Sequence, residues 1–179
     1  MQERCKIGVV IGNANSPHAI NIMKGIDQAS KECDVQLMYF MNVSSPYTAQ
    51  LYPPDTSIGW DYQKSAIYDY ARYVKADVLI MTYGMMSIFM KSDYGKQYLE
   101  YFRNVPCVLI NEQTDRPNWT SIIVDNYNGM YELVEHLVRD HGYHNFAFLA
   151  GPPGNTDACQ RKRAFLDVMK KYDLPMDES

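Results

Sequence analysis

The chemistry this sequence offers lies in polar side chains that follow short apolar runs. Asn13, Asn15, Ser16 and His18 come after KIGVVI, and Thr82 and Tyr83 close DVLIMT. Asn111 and Glu112 close VPCVLIN, and Asp125 and Asn126 close SIIV. Arg161 lies on a predicted helix just past the loop Gly151-Pro152-Pro153-Gly154. Amide, imidazole, carboxylate and guanidinium groups at the carboxyl ends of buried strands suit oriented hydrogen bonding to a small, hydroxyl-rich ligand. Asn, Ser and Asp equally serve turns and caps, and an arginine equally makes surface salt bridges, so both roles stay open for each. The aromatic load of 15 Tyr, 6 Phe and 2 Trp also suits stacking on a sugar or nucleobase, with Trp60, Tyr62 and Trp119 as loop candidates.

Other chemistries lack their residues. The loop Gly12-Asn13-Ala14-Asn15-Ser16 has neither GxGxxG nor the lysine of a phosphate-binding loop. Asparagines stand where a phosphoacceptor domain needs acids, and G-x-S-x-G is absent. His136, His141 and His144 fall on a helix and around a glycine turn, where pairing with helix-end carbonyls accounts for them better than a metal does. No carboxylate pair stands out for acid–base work. The reading is a binding protein, not an enzyme, with no cofactor and no metal.

These side chains need a scaffold of alternating strands and helices. Lys6–Ile11 reads as a buried parallel strand, and Ser16-Pro17 as the capped start of a helix with Ala19, Ile22, Met23, Ile26 and Ala29 on one face. Val35–Val43 is a second strand, followed by an irregular Ser-, Tyr- and Pro-rich stretch over Ser44–Gly59. A helix is expected from Asp61 to about Lys75, burying Ala66, Ile67, Tyr70 and Val74. Strands follow at Asp77–Thr82, Val105–Asn111 and Ser121–Val124, with a helix over Asp93–Asn104. Asn126–Asp140 is the most regular helix: Asp125 caps it, Gly142 stops it, and Met130, Leu133, Val134, Leu137 and Val138 line one face. Phe146–Ala150 reads as a sixth strand. Asp157 reads as the cap of a last helix that buries Phe165, Val168, Met169 and Tyr172. Such alternation is the pattern of an α/β fold with a mainly parallel sheet.

With 179 residues, 46% of them hydrophobic and 21% charged, the chain is long enough for one domain or two small lobes with packed cores. A net charge of -4 and no basic stripe argue against direct contact with nucleic acid. Cys5, Cys33, Cys107 and Cys159 show no metal-like or CxxC spacing, as expected of free thiols in a reducing cytosol. No signal peptide and no apolar run near the ~20 residues of a membrane span are present.

At VPCVLIN…SIIVDNYNGMYELVEHLVRDHGYHNFAFLAGPP…ACQRKRAF the chain resembles the effector-binding domain of the lactose-repressor (LacI/GalR) family, and KIGVVIGNANSPHAINIMKGI is similar to that family's first strand and helix. The resemblance implies a periplasmic-binding-protein-like fold, with residues 1–124 forming a complete first lobe and 125–179 the truncated start of a second. It implies a small sugar or nucleoside-like effector between the lobes. Arg161 matches the arginine that holds the effector, and Asn111 matches an acidic residue ending the fourth strand. His18 and Ala19 match a pair that is often aromatic, and Ala164 stands for a glycine. The ligand set is therefore expected to be Arg161 as anchor, Asn111, Asn13 and His18 as orienting groups, and Asn15, Glu112 and Asp125 beside them.

Two departures bear on the whole protein. No helix-turn-helix precedes Lys6, and residues 44–104 form a longer segment than in ordinary repressors. AIYDYARYVKADVLI and DYGKQYLEYFRNVPCVLI resemble repressor-like sensor domains fused to diguanylate cyclases (GGDEF) or histidine kinases. The expectation is thus a cytoplasmic, homodimeric sensing domain of a LacI/GalR-type transcriptional regulator. The alternative is a ligand sensor in a multidomain signalling protein. Either way the output domain lies elsewhere.

Overall fold

The computed structural model describes residues 4–43, 62–87, 92–151 and 155–175. The chain divides into two compact units, Met1–Ile123 and Val124–Ser179, each with its own core.

In the first unit the apolar run Lys6–Ile11 forms β1, and Pro17–Cys33 forms α1. Ser16 caps α1, its Oγ accepting the Ala19 N–H at 3.2 Å. There follow β2 (Gln36–Met41), α2 (Tyr62–Tyr70), β3 (Val78–Met81), the short α3 (Tyr83–Ser87), α4 (Ser92–Tyr101), β4 (Cys107–Ile110) and β5 (Trp119–Ile122). The five strands are all parallel, in the order β2-β1-β3-β4-β5. The chain winds outward from β1 to β2 and then back across to β3, so the topological switch point falls between β1 and β3.

Both faces of β1 are covered, which is why its sequence is a continuous apolar run rather than an alternation. Val9 and Ile11 pack with Ala19, Ile22, Met23 and Ile26 of α1. Val10 points the other way, into a core with Phe40, Tyr68, Leu79, Met81, Tyr98, Phe102, Cys107 and Trp119. Tyr98 stands edge-on to Phe102 and donates its hydroxyl to the Tyr68 carbonyl at 2.8 Å, tying α4 to α2.

In the second unit α5 (Asn126–Arg139) and α6 (Thr156–Lys171) pack against each other. Val134 and Val138 meet Phe165, Val168 and Met169, with Phe148 stacked on Phe165 at 4.7 Å and Phe146 edge-on to it. Gly142, at φ 67°, ends α5 in the left-handed region that favours glycine, and its N–H donates to the Val138 carbonyl.

Several expectations need correction. Phe146–Ala150 is not a strand. Phe146 and Phe148 turn inward alternately, as a strand would, but a strand exists only where a neighbour completes its hydrogen-bond ladder, and no described segment of this unit does so. The helix expected to reach Lys75 stops at Tyr70, where i→i−3 bonds from Ala71, Arg72 and Tyr73 tighten the chain. Its buried face is Tyr68 and Ala71 with Ile67 and Val74, whereas Ala66 and Tyr70 are exposed. Ala29 and Leu133 are also exposed. Asn155, not Asp157, caps α6, its Oδ1 accepting the Ala158 N–H at 2.8 Å. Trp119 belongs to β5 and is buried under Arg116 rather than presented by a loop. The Ser44–Gly59 stretch, Trp60 and the loop's Pro152-Pro153-Gly154 lie outside the described residues, as does the side chain of Tyr62.

Candidate functional site

The polar residues that follow β1 are positioned by the switch point. The Gly12 N–H donates to the buried Thr82 hydroxyl at 3.1 Å, joining the carboxyl ends of β1 and β3. A Cβ on Gly12 would lie 2.6 Å from the backbone carbonyl carbon and oxygen of Met85, so only glycine lets the loop pass the first turn of α3. Asn13 then takes a left-handed conformation (φ 52°), which asparagine tolerates better than most residues. Its N–H donates to Asn42 Oδ1 at 2.8 Å, and the Ala14 N–H to the Asn42 carbonyl at 2.8 Å. Asn42 thus clamps the loop from the end of β2. It is 6% exposed, and its Nδ2 is buried with no hydrogen-bond partner among the described residues.

The loop delivers Asn15 to the surface and His18 to the exposed first turn of α1. Across from them β4 ends at Ile110, and Asn111 adopts φ 61°. Asn111 Nδ2 lies 2.9 Å from His18 Nε2. With the amide as donor, the ring is the tautomer whose Nε2 carries no proton. Residues 93 positions apart in sequence are therefore one hydrogen-bonded pair. Glu112 is exposed next to them, and the ends of β3 and β4 bring it close to Tyr83. Burial, and then the Glu112 charge, push the Tyr83 hydroxyl above its ordinary range.

The second unit contributes a separate group. Asp125 caps α5, with Oδ1 accepting the Asn128 N–H at 3.1 Å and Oδ2 the Asn128 side-chain amide at 2.7 Å. Those two bonds hold its carboxyl below the usual carboxylate range. Both oxygens are thus already engaged in the cap. One residue on, Asn126 is 8% exposed and fixed at both ends of its amide. Its Nδ2 donates to the Val124 carbonyl at 3.2 Å, and its Oδ1 accepts from Nη1 of the half-buried Arg161. Arg161 is therefore aimed by an amide rather than neutralised by a surface carboxylate. Asn126, a polar residue that closes SIIV, is not among the expected ligand residues, and nothing local in the sequence ties it to Arg161, 35 positions on.

The histidines are placed differently from expectation. His136 Nδ1 lies 2.7 Å from Asp140 Oδ2, and its Nε2 lies 3.0 Å from His141 Nε2, so these side chains satisfy one another rather than helix-end carbonyls. Arg139 and His136 hold the Asp140 carboxyl down at about 2. Among the described residues no three His, Cys, Asp or Glu side chains are grouped to hold a metal ion. Nor is any helix there long and apolar enough to cross a membrane.

No family model matches the chain. It is 25% identical over 118 residues to the Probable HTH-type transcriptional repressor ExuR of Bacillus subtilis, a match covering 60% of this chain and 35% of that protein. It is 28% identical over 95 residues to the HTH-type transcriptional repressor PurR of Photorhabdus laumondii, covering 51% of this chain and 28% of that one. Among solved structures, the lac repressor dimer bound to operator and the anti-inducer ONPF superposes with a TM-score of 0.66 at 18% identity, over 97% of this chain and 54% of that one. A periplasmic binding protein/LacI transcriptional regulator from Alkaliphilus metalliredigens, complexed with D-xylulofuranose, gives a TM-score of 0.64 at 18% identity, over 96% of this chain and 55% of that one. The chain thus spans about a third of the curated relatives and about half of the solved chains. These proteins are transcriptional regulators, and they give no support to a fused diguanylate cyclase or histidine kinase. The chain has the parallel-sheet, periplasmic-binding-protein-like fold of the effector domains of LacI-family regulators.

Proposed function

We propose that the chain is the effector-sensing part of a LacI-type transcriptional regulator. Its effector is a small polar molecule, sugar or nucleoside in kind, engaged by residues of both units. Arg161 anchors it through paired N–H donors; Asn111, Asn13 and His18 orient it; Asn15, Glu112 and Asp125 stand beside them. The observation that carries this reading is the arginine itself: a half-buried guanidinium in the second turn of α6, aimed by the buried Asn126. The first unit supports it with a second polar group at the carboxyl rim of a parallel sheet, built around the Asn111–His18 pair.

Binding would act by differential affinity for two arrangements of a cytoplasmic homodimer, shifting the population read by a DNA-binding domain elsewhere in the protein. The segment itself, at net charge -4, makes no direct contact with nucleic acid. A thermal-shift screen of the full-length protein against sugars and nucleosides tests the reading, since an effector at a hundred times its Kd stabilises the native state by about 2.7 kcal/mol. Arg161→Ala is expected to remove the shift produced by any hit while leaving the far-ultraviolet circular dichroism unchanged. A hit whose calorimetric affinity survives that substitution overturns the site.

A further inference from the structure

The second unit holds a group of side chains that the sensing function does not use, at the carboxyl end of α5. On an unbroken helix, side chains five positions apart would lie about 140° apart around the axis and never meet. Here α5 ends, and the chain turns through Gly142 at φ 67°, with the Gly142 and Tyr143 N–H groups donating back to the Val138 and Leu137 carbonyls. That turn carries His141 back to His136 in the last turn of the helix. Tyr143 stacks on His141 at 5.7 Å, with the rings 15° from parallel, and steadies it there.

The two imidazoles face each other through the same ring atom. Their Nε2 atoms are 3.0 Å apart, and the rings stand 85° to one another with centres 4.7 Å apart. A straight N–H···N bond of that length would set the ring centres about 5.3 Å apart. One ion bound to both nitrogens, through bonds of about 2.0–2.1 Å, would bring the centres to about 4.7 Å. The observed spacing fits the shared ion and not the straight bond.

The surroundings suit a ligand pair. Asp140 Oδ2 lies 2.7 Å from His136 Nδ1. A carboxylate there keeps the proton on Nδ1 and leaves the Nε2 lone pair outward, as behind metal-binding histidines. Arg139 donates to the same carboxylate through Nε at 2.8 Å and Nη2 at 3.3 Å, so its charge is balanced there. The His136 side chain is 52% exposed, which leaves water free to reach an ion.

We propose that His136 and His141 form a site for one divalent transition-metal ion, bound through both Nε2 atoms, with water in its remaining positions. His141 presents its lone pair as the tautomer protonated on Nδ1. Imidazole donors select copper(II), nickel(II) and zinc(II) over magnesium and calcium, which take oxygen ligands. Two protein ligands make an exchangeable site rather than a permanent one. The bound ion clips the last turn of α5 to the turn that follows it.

The test is calorimetric titration of the full-length protein, without a histidine tag, with nickel(II) chloride near neutral pH. One saturable step is expected, weakened about tenfold or more by His136→Ala and equally by His141→Ala. Asp140→Asn, which leaves both ligands in place, should weaken it by about tenfold to a hundredfold. His144→Ala should leave it unchanged, and magnesium chloride should not compete. In the unmodified protein, saturating nickel(II) should protect His136 and His141 from diethyl pyrocarbonate while His144 stays reactive, a readout that needs no variant to fold.

A titration indistinguishable from that of the doubly substituted protein overturns the site. So does a step that survives either histidine substitution, or rings that remain reactive under saturating nickel(II). An affinity unchanged by Asp140→Asn overturns the orienting part of Asp140.

Discussion

The two units solve the same problem, holding a polar side chain still at an element's end, by opposite means. In the first, a five-stranded sheet covered on both faces fixes backbone turns. The residues at strand ends are then placed by their own left-handed conformations, Asn13 at φ 52° and Asn111 at φ 61°. In the second, two helices share one apolar layer, and a side chain does the placing: Asn126, bonded to the Val124 carbonyl and to Arg161. The first arrangement depends on strands brought together from distant parts of the chain. The second depends on neighbours within one helical pair, so the charged group sits on the part of the molecule with the smaller core.

The sharpest way to break this contrast is to remove the centre of the smaller core. Phe165 is buried beneath Phe148, and Phe165→Ala should cost about 3–5 kcal/mol. Hydrogen exchange protection across α5 and α6 is expected to collapse while tryptophan fluorescence holds, because Trp60 and Trp119 both belong to the first unit. Loss of both signals together would show that the cores are not separate.

A second, smaller effect probes the opposite unit. Gly12→Ala drives a Cβ into the Met85 backbone, and denaturant unfolding followed by tryptophan fluorescence should show a loss of about 1–3 kcal/mol confined to the first unit. An unchanged midpoint would mean that the β1 loop is not held against α3.

The smallest effect is one of pH. The Asp140 carboxyl is depressed to about 2 in the folded chain. Its contribution is therefore present above the ordinary carboxylate range and is lost as pH falls toward that value. Asp140→Asn should flatten the acid limb of the helical circular dichroism of the second unit, with little change at neutral pH. An acid limb identical to that of the unmodified chain would remove the Arg139–His136–Asp140 group from the account.

Local signals carried most of the architecture. The run Lys6–Ile11 is unbroken because both faces are buried, and Ser16-Pro17 and Asp125 mark helix starts through atoms that lie within three residues of their targets. What failed was what depends on a distant partner. Phe146–Ala150 carries a strand's alternation without the neighbour that would make it one. Asn155 and Asp157 are both good caps, and the folded chain uses Asn155. The rim of polar residues could be read because strand carboxyl ends follow from the strands. That His18 would meet Asn111, or that Asn126 would aim Arg161, could not, since each pairing spans dozens of residues that only the folded chain brings together.

Cys107 gives the sheet its own clock. It lies on β4 between β3 and β5, buried, with its thiol pushed up to about 12 by that burial, whereas Cys5, Cys33 and Cys159 are exposed. An alkylating reagent would consume three thiols at once and wait for the fourth. The delay measures how often the first unit opens, with no label, no mutation and no knowledge of the effector.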